Sequence, residues 1–422
     1  MTVPAHLIKG WCPGALRPMR SGDGLIVRIK PRAGAFSISA LAAIADAAAR
    51  FGSGEIDLTN RGNLQLRGVS DDSYDDAITA LRAADLIDRS AAVEAVRNVV
   101  VDPLSGIDPE RPNVCDVAAR IEDALADDAR LWALPGKFGF SFSGSSEPMV
   151  GGRAADIMIA AAGDGFDICL DGATDLRCEV TAGDVIDSVR RLAMAFLDLA
   201  AKDHELRRMK AVVARFGAAR IFELAGLQVT SRSVDVTVAS VSAGLLSRGD
   251  LVFGVGIGLP FGRITADQLG RLCQSAEAAK LKDVFTSPQR ILVFPVAERA
   301  KAELVLQAAA STGLIVVPED ARLQMDVCPG SSGCRNATTD TRADARHLVD
   351  VLNGSLSGYS VHVSGCEKGC ARQSAADFTL IARAGRYDLI RNGVAGDPIA
   401  LANVDADDIG NTVSRFILDS AS

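Results

Sequence analysis

VSGCEKGCAR, residues 363–372, places Cys366 and Cys370 directly behind a run that reads as a strand. Two thiols so placed can form a disulfide, bind zinc, hold an iron–sulfur cluster or pack in a core. A second pair lies upstream in DVCPGSSGCRNA, residues 326–337, as Cys328 and Cys334. The combined pattern is Cys-x5-Cys, a gap of 31 residues, then Cys-x3-Cys. Four thiolates suit zinc or a 4Fe–4S cluster. Paired zinc ligands commonly sit about two to four residues apart, so the five-residue gap favours the larger cubane. The Gly-rich PGSSG segment is expected to wrap such a cluster and point backbone N–H groups at its sulfurs, tuning its potential. On spacing alone, zinc and unrelated buried thiols stay open. Cys12, Cys115, Cys169, Cys178 and Cys273 are scattered and read as small core hydrophobes.

The whole chain limits the context. Its 422 residues suggest two to four domains, and 48% hydrophobic content is enough for large cores. No apolar run approaches a membrane span, and MTVPAHLIKGWCPG lacks a signal core, so the expectation is a cytoplasmic protein away from membranes. Nine cysteines, an odd count in a reducing compartment, argue against disulfides. The net charge of −8 argues against a nucleic-acid partner, and an anionic ligand would need a local basic patch.

Strand and helix patterns alternate along the chain. Residues 22–31 read as a strand, and 37–52 as a helix with Ser37 as N-cap and Gly52 as stop. EIDLTN and LQLRGV read as strands, and 71–86 as a second helix. The same order returns: a strand at 251–262, a helix at 264–280 with Thr265 near its start, a strand pair at 283–296 and a helix at 297–314. This repetition points to an internal duplication. Between the copies lie a helix near 115–129, strands in KFGFSFSG and DIMIAAAG, and long helices around 182–217. GVGIG, 254–258, lacks the strand-to-helix context of a dinucleotide loop.

The cysteine pattern resembles the cluster motif of the sirohaem-type nitrite/sulfite reductases. LTNRGNLQLRG (58–68) resembles that family's Thr-x-Arg strand, VRNVVVDPLSG (96–106) its Arg-Asn-Val segment, and LPGKFGFSFSG (134–144) its Leu-Pro-x-Lys-Phe segment. The resemblance implies an α+β fold of two pseudo-symmetric repeats, each with a ferredoxin-like half-domain and a larger mixed α/β domain. The expected boundaries are 1–95 and 96–230 for the first repeat, then 231–315 and 316–422, the last unit binding the cluster. It also implies Cys328, Cys334, Cys366 and Cys370 as ligands of a 4Fe–4S cluster.

Departures from the family narrow the expectation. The reductases carry further cations where this chain has Gly136 and Gly139, leaving Lys137, and they usually carry Asn where this chain has Glu367 and Lys368. A site that reduces a small oxyanion must concentrate positive charge on developing anionic oxygens. GWCPGALRPMRSGDGLIVRIKP (10–31) resembles one branch of the family, the precorrin-3B synthases of aerobic cobalamin biosynthesis. That resemblance implies an oxygen-dependent monooxygenase acting on a tetrapyrrole polycarboxylate, with dioxygen and an NADH-linked or ferredoxin-like electron donor as partners. A further mononuclear iron is compatible with it. The alternatives are a ferredoxin-dependent sulfite or nitrite reductase with sirohaem, and a non-catalytic cluster or tetrapyrrole carrier. Arg61, expected mid-strand, Arg97, Asn98 and Lys137 are the candidate contacts to substrate carboxylates. Arg28, Lys30 and Arg32 form a basic cluster or a plain surface strand. Lys368 and Arg372 are expected to flank Cys370 at the start of a helix, facing ligand carboxylates or solvent. His362 reads as a core histidine near the cysteines. No residue is assigned a catalytic role.

Overall fold

A computed structural model describes residues 13–145, 155–201, 203, 205–232, 241–352, 354, 356 and 358–421. Cys12 lies outside the described residues. Two five-stranded sheets carry the duplicated pattern, and each borrows a strand from the other copy. The first runs Met19–Arg20, Leu25–Ile29, Leu64–Val69, Glu55–Leu58 and then Arg263–Thr265. The other runs Gly244–Arg248, Leu251–Gly258, Ile291–Pro295, Asp283–Thr286 and then Ala35–Ser37. The exchanged strands pair antiparallel, Ile264 opposite Ile56 and Phe36 opposite Val284. In both copies the borrowed strand ends on a helix cap. Ser37 Oγ accepts the Ala40 N–H at 3.1 Å, and Thr265 forms a reciprocal capping box with Gln268. The capped helices, Ile38–Phe51 and Ala266–Ala278, pack against each other, so the two ferredoxin-like halves share one core that includes Leu41, Leu66, Val255 and Leu272.

The other two sheets also repeat one design. In the first, Val99–Val101, Phe140–Ser143 and Ile157–Ala162 run parallel, and Gly165–Leu170 and Ala173–Thr181 follow antiparallel, with a short edge strand beyond. In the second, Met325–Val327, Val361–Ser364 and Ala376–Arg383 run parallel, and Arg386–Gly393 and Leu401–Asp405 follow antiparallel. The expected long helices at 182–217 resolve into Val185–Ala200 and the shorter Met209–Phe216, which stops at Gly217 with φ 81°. The hairpin after Ile157–Ala162 escaped the sequence reading because GFDICL and ATDLRCEV blend apolar and polar positions without a clean period. No helix among the described residues is long and apolar enough to cross a membrane.

Buried charge ties three units together. Asp57 on the first sheet accepts from Arg263 of the borrowed strand at 2.7 and 3.1 Å, and from Arg342 of the helix Thr341–Leu352 at 3.1 Å. Arg67 approaches to 3.8 Å. Burial alone would push the Asp57 carboxyl up, but Arg342 and Arg263 outweigh it and hold it down, from 3.8 to about 2. A carboxylate depressed in the fold stabilises fully above its unfolded pKa, and that contribution is lost as pH falls from about 4 through about 2. Asp57→Asn should therefore cost about 3–5 kcal/mol at neutral pH, because it strands buried guanidinium groups. It should also flatten the acid limb of stability between those pH values. Denaturant titrations at several pH values measure both effects, and an unchanged midpoint would remove Asp57 from its central place.

Candidate functional site

The parallel ladder decides where the cysteines meet. Val327 lies opposite Val363, so Cys328 and Gly365 leave neighbouring strands at the same sheet end. The Cys328 N–H donates to Val363 O at 3.1 Å, and Gly365 N–H donates to Cys328 Sγ at 3.1 Å. Thr338 N–H donates to Gly365 O at 2.9 Å, which joins the two cysteine loops. Thr341 Oγ1 donates to Cys328 O at 2.7 Å. The loops touch so closely that a β-carbon on Gly365 would lie 2.5 Å from Ala337 Cβ.

Cys328 is buried, Cys334 and Cys366 are half-buried, and Cys370 is exposed at the rim. Burial pushes the Cys366 thiol up, the Lys368 N–H pulls against it, and the charges of Cys334 and Cys328 push it further up. A thiol crowded by other thiols gains from a bound cation, so this donor set fits a thiolate-held metal group. Among the described residues, no three Cys, His, Asp or Glu side chains close on a single ion-sized point. A tetrahedral ion with bonds of about 2.3 Å would need its sulfurs nearly in contact, whereas a cubane spreads its ligands. Gly365 and Lys368 aim N–H groups at the Cys328 and Cys366 sulfurs. Those of the PGSSG segment go elsewhere, Ser331 to Thr339 O and Gly333 to Gly330 O, because the loop closes on itself. The expected helix after Cys370 is absent. Residues 365–375 form turns, and Arg372 pairs with Asp326 at 3.0 Å while bonding the Ser374 and Ala375 carbonyls. Arg290 grips the same Asp326 at 2.7 Å, so two guanidinium groups anchor the strand that delivers Cys328. His362 is buried in its strand, with Cε1 3.4 Å from where a Gly369 β-carbon would stand. Cys169, Cys178 and Cys273 are buried, and burial pushes the Cys273 thiol up to about 12.

The basic candidates divide. Arg61 sits on the turn 59–63 and not in mid-strand, since Thr59 Oγ1 accepts the N–H groups of Arg61 and Asn63 and Gly62 takes φ 71°. Its Nη2 donates to Lys137 O at 3.0 Å. Asn98 Nδ2 donates to Ala95 O, Gly136 O and Phe138 O at 2.9, 3.3 and 3.0 Å, which staples the Lys137 loop to the start of the Val99–Val101 strand. Arg61, Asn63, Asn98, Gly139 and Ala155 line a pocket there, and Lys137 is exposed beside it.

Lys30 and Arg97 face inward instead. Lys30 Nζ donates to Glu94 O and, at 2.8 Å, to Asn98 Oδ1. Burial and then the Arg97 charge push it down to about 7. Arg97 holds Asp88 at 2.8 and 3.1 Å and Pro31 O at 2.7 Å, with Glu122 at 3.5 Å. In this structure both cations meet internal partners: carbonyl oxygens for Lys30, and carboxylates and carbonyls for Arg97. Arg28 donates to Gln65 Oε1 at 3.1 and 2.7 Å, and Arg32 pairs with Glu122 and Asp123. Lys368 belongs to the cysteine loop, its N–H on the Cys366 sulfur. Sequence reasoning gave no role to Arg67, whose Nη2 bonds the carbonyl of Gly333 beside Cys334 at 2.7 Å. The signal was an arginine at a buried position of a strand, Leu64–Val69, that alternates Leu64, Leu66 and Val69 with polar positions.

Gly136 and Gly139 also differ. A β-carbon on Gly136 would find only Ala95 O, at 3.9 Å, so packing does not demand glycine there. Gly139 is buried; its N–H donates to Asp156 Oδ2 at 2.9 Å, and its carbonyl accepts the Asp156 N–H at 2.7 Å.

Comparisons with known proteins agree with this architecture. A family model described as the nitrite/sulfite reductase ferredoxin-like half domain matches residues 17–84. A precorrin-3B synthase from Sinorhizobium sp. is 28% identical over 98% of this chain and 89% of its own length. A ferredoxin–nitrite reductase from Synechococcus elongatus is 24% identical over 91% of this chain and 80% of its own. The solved structure of the Mycobacterium tuberculosis NirA protein covers 94% of this chain and 80% of its own at TM-score 0.77 and 18% identity. With its exchanged strands and duplicated sheets, the chain has a nitrite/sulfite reductase-like fold, and its residues 17–84 match that family's ferredoxin-like half domain.

Proposed function

We propose that this oxidoreductase is a precorrin-3B synthase-type monooxygenase, with Cys328, Cys334, Cys366 and Cys370 holding a 4Fe–4S cluster and the Arg61–Lys137 corner receiving carboxylates of precorrin-3A. The observation that carries the substrate reading is the distribution of cations at the pocket. Lys30 and Arg97 are committed to internal partners, and Gly136 has space for a side chain but carries none. Two separated cations suit the spread carboxylates of a tetrapyrrole better than one small oxyanion. The alignment over nearly the whole length of a precorrin-3B synthase supports the same reading.

In this reading the enzyme hydroxylates the meso carbon between rings A and D, and the ring A acetate closes a γ-lactone. Dioxygen supplies the hydroxyl oxygen, and two electrons and two protons reduce its other atom to water. The cluster supplies one-electron transfer, drawing on an NADH-linked or ferredoxin-like donor. Arg61 would hold a carboxylate through its planar fork, Lys137 would add a point charge, and Asn98 would keep their loop in place. No residue is assigned to a second iron. The similarity to nitrite reductases favours one rival, a reductase with bound sirohaem. An absorption spectrum with sirohaem bands and nitrite turnover under strong reductant would establish that rival.

Anaerobically purified protein should contain about four iron and four sulfide per chain. Cys334→Ala should lose them, and stoichiometric zinc without sulfide sinks the cluster. Arg61→Ala and Lys137→Ala should weaken precorrin-3A binding roughly ten- to 150-fold each, the effect of losing a charge-assisted contact. Cluster absorption and melting should stay near the parent's. Lysine at position 61 should restore binding only in part. Parent-like affinity in Arg61→Ala would reject the carboxylate role of that residue.

A further inference from the structure

The turn between the first two strands, residues 21–24, leaves its own sheet and meets the first cysteine loop. Ser21 Oγ donates to Gly333 O at 2.6 Å, and Arg67 Nη2 donates to the same carbonyl at 2.7 Å. Arg67 is only 2% exposed, and Asp23 holds it through both Nε and Nη2, at 2.9 and 2.8 Å. The fit leaves no spare room. A β-carbon on Gly22 would lie 3.0 Å from the Cys334 nitrogen and 3.2 Å from that of Arg335. One on Gly333 would lie 2.7 Å from Arg67 Nη2. Three close approaches therefore converge on the peptide that joins Gly333 to Cys334.

We propose that the 21–24 turn, clamped by Arg67, is a latch over Cys334 that sets the exposure of the group held by the four cysteines and the ease of reducing it. Ser21 and Arg67 are positioning residues in this account, which rests on the cluster reading above. A carbonyl that accepts from both a hydroxyl and a guanidinium has both lone pairs engaged, so the Gly333–Cys334 peptide is fixed in one orientation. Packing of Gly22 on the Cys334 amide keeps water and dioxygen from that side of the sulfur. A buried cation one residue from a cluster ligand favours the more negative, reduced cluster, as groups around metal ligands generally tune potential. For a reaction that consumes dioxygen, such a cover separates the oxidant from an oxidisable cofactor.

The test uses cluster-loaded protein purified without oxygen. Ser21→Ala should bleach in air roughly fivefold faster than the parent, the change in open population that loss of one hydrogen bond brings. Gly22→Val should bleach at least as fast, because its branched side chain cannot fit over the Cys334 nitrogen. Arg67→Met should lower the midpoint potential, and Arg67→Lys should largely keep it. A merely structural arginine would change melting without this charge-dependent shift. Parent-like bleaching in both turn variants overturns the latch, as does an Arg67→Met potential equal to the parent's. Should Arg67→Met fail to fold, the two turn variants decide. If the purified parent holds no cluster, the cluster reading fails, and alkylation of Cys334 by iodoacetamide then tests the latch. Faster modification in Ser21→Ala and Gly22→Val upholds it, and equal rates overturn it.

Discussion

Asp57 is a carboxylate largely removed from water, and much of the architecture follows from how its charge is met. Burial opposes its ionisation, and the fold answers with Arg263 and Arg342, helped by Arg67. Each arginine comes from a different part of the chain. Arg263 arrives on a strand borrowed from the second copy, Arg342 on the helix of the cysteine-bearing unit, and Arg67 from the neighbouring strand. A buried charge tolerates no loose partner, so satisfying Asp57 fixes the relative placement of all three. Strand exchange alone would join the two ferredoxin-like halves; the carboxylate adds the cysteine-bearing unit to them.

Duplication then lets one topology solve the same problem twice, with different chemistry. Val99–Val101 and Met325–Val327 occupy the same place in their sheets, and each ends in a loop that must be closed. After Val101 the closure is electrostatic. Asp102 accepts from Arg111 at 2.7 Å, and Asp108 accepts from Arg248 at 2.8 Å through each of two nitrogens. The hydrogen bonds from Arg248 lower the Asp108 pKa. After Val327 the corresponding position is Cys328, and the loop offers thiols. One copy closes its loop with permanent ion pairs, and the other keeps groups that a metal would draw together.

The elements that read correctly from sequence were those fixed by local chemistry. Ser37 and Thr265 announce their helices because a cap is a contact over three residues. The strand exchange was not legible, since an alternating pattern shows which face of a strand is buried but not which sheet receives it. Lys30 and Arg97 misled for a related reason. A cation that pairs with Asp88 and Glu122, as Arg97 does, or donates to Glu94 O and Asn98 Oδ1, as Lys30 does, has the same sequence appearance as one awaiting a ligand, because its partners lie far along the chain or on other elements. The cysteine spacing divides four thiols between two loops, as the structure does. It could not show that the loops leave adjacent parallel strands, a fact that depends on long-range pairing.

One hairpin links the two ends of the candidate site. Its tip, the turn 59–63, reaches the Lys137 loop through Arg61. Its second strand reaches the Cys334 loop through Arg67, and its first strand carries Asp57. A short antiparallel pair with buried ionic contacts along its length has little freedom to bend or slide. The pocket-side loop and the cysteine loop are therefore held at a set spacing by the same few residues. The charges that hold the hairpin, unlike those of a surface ion pair, cannot be exchanged one at a time. Replacing any one leaves its buried partners unmatched, which explains why so much of the ionic network in this chain serves the scaffold and so little of it is left for the ligand.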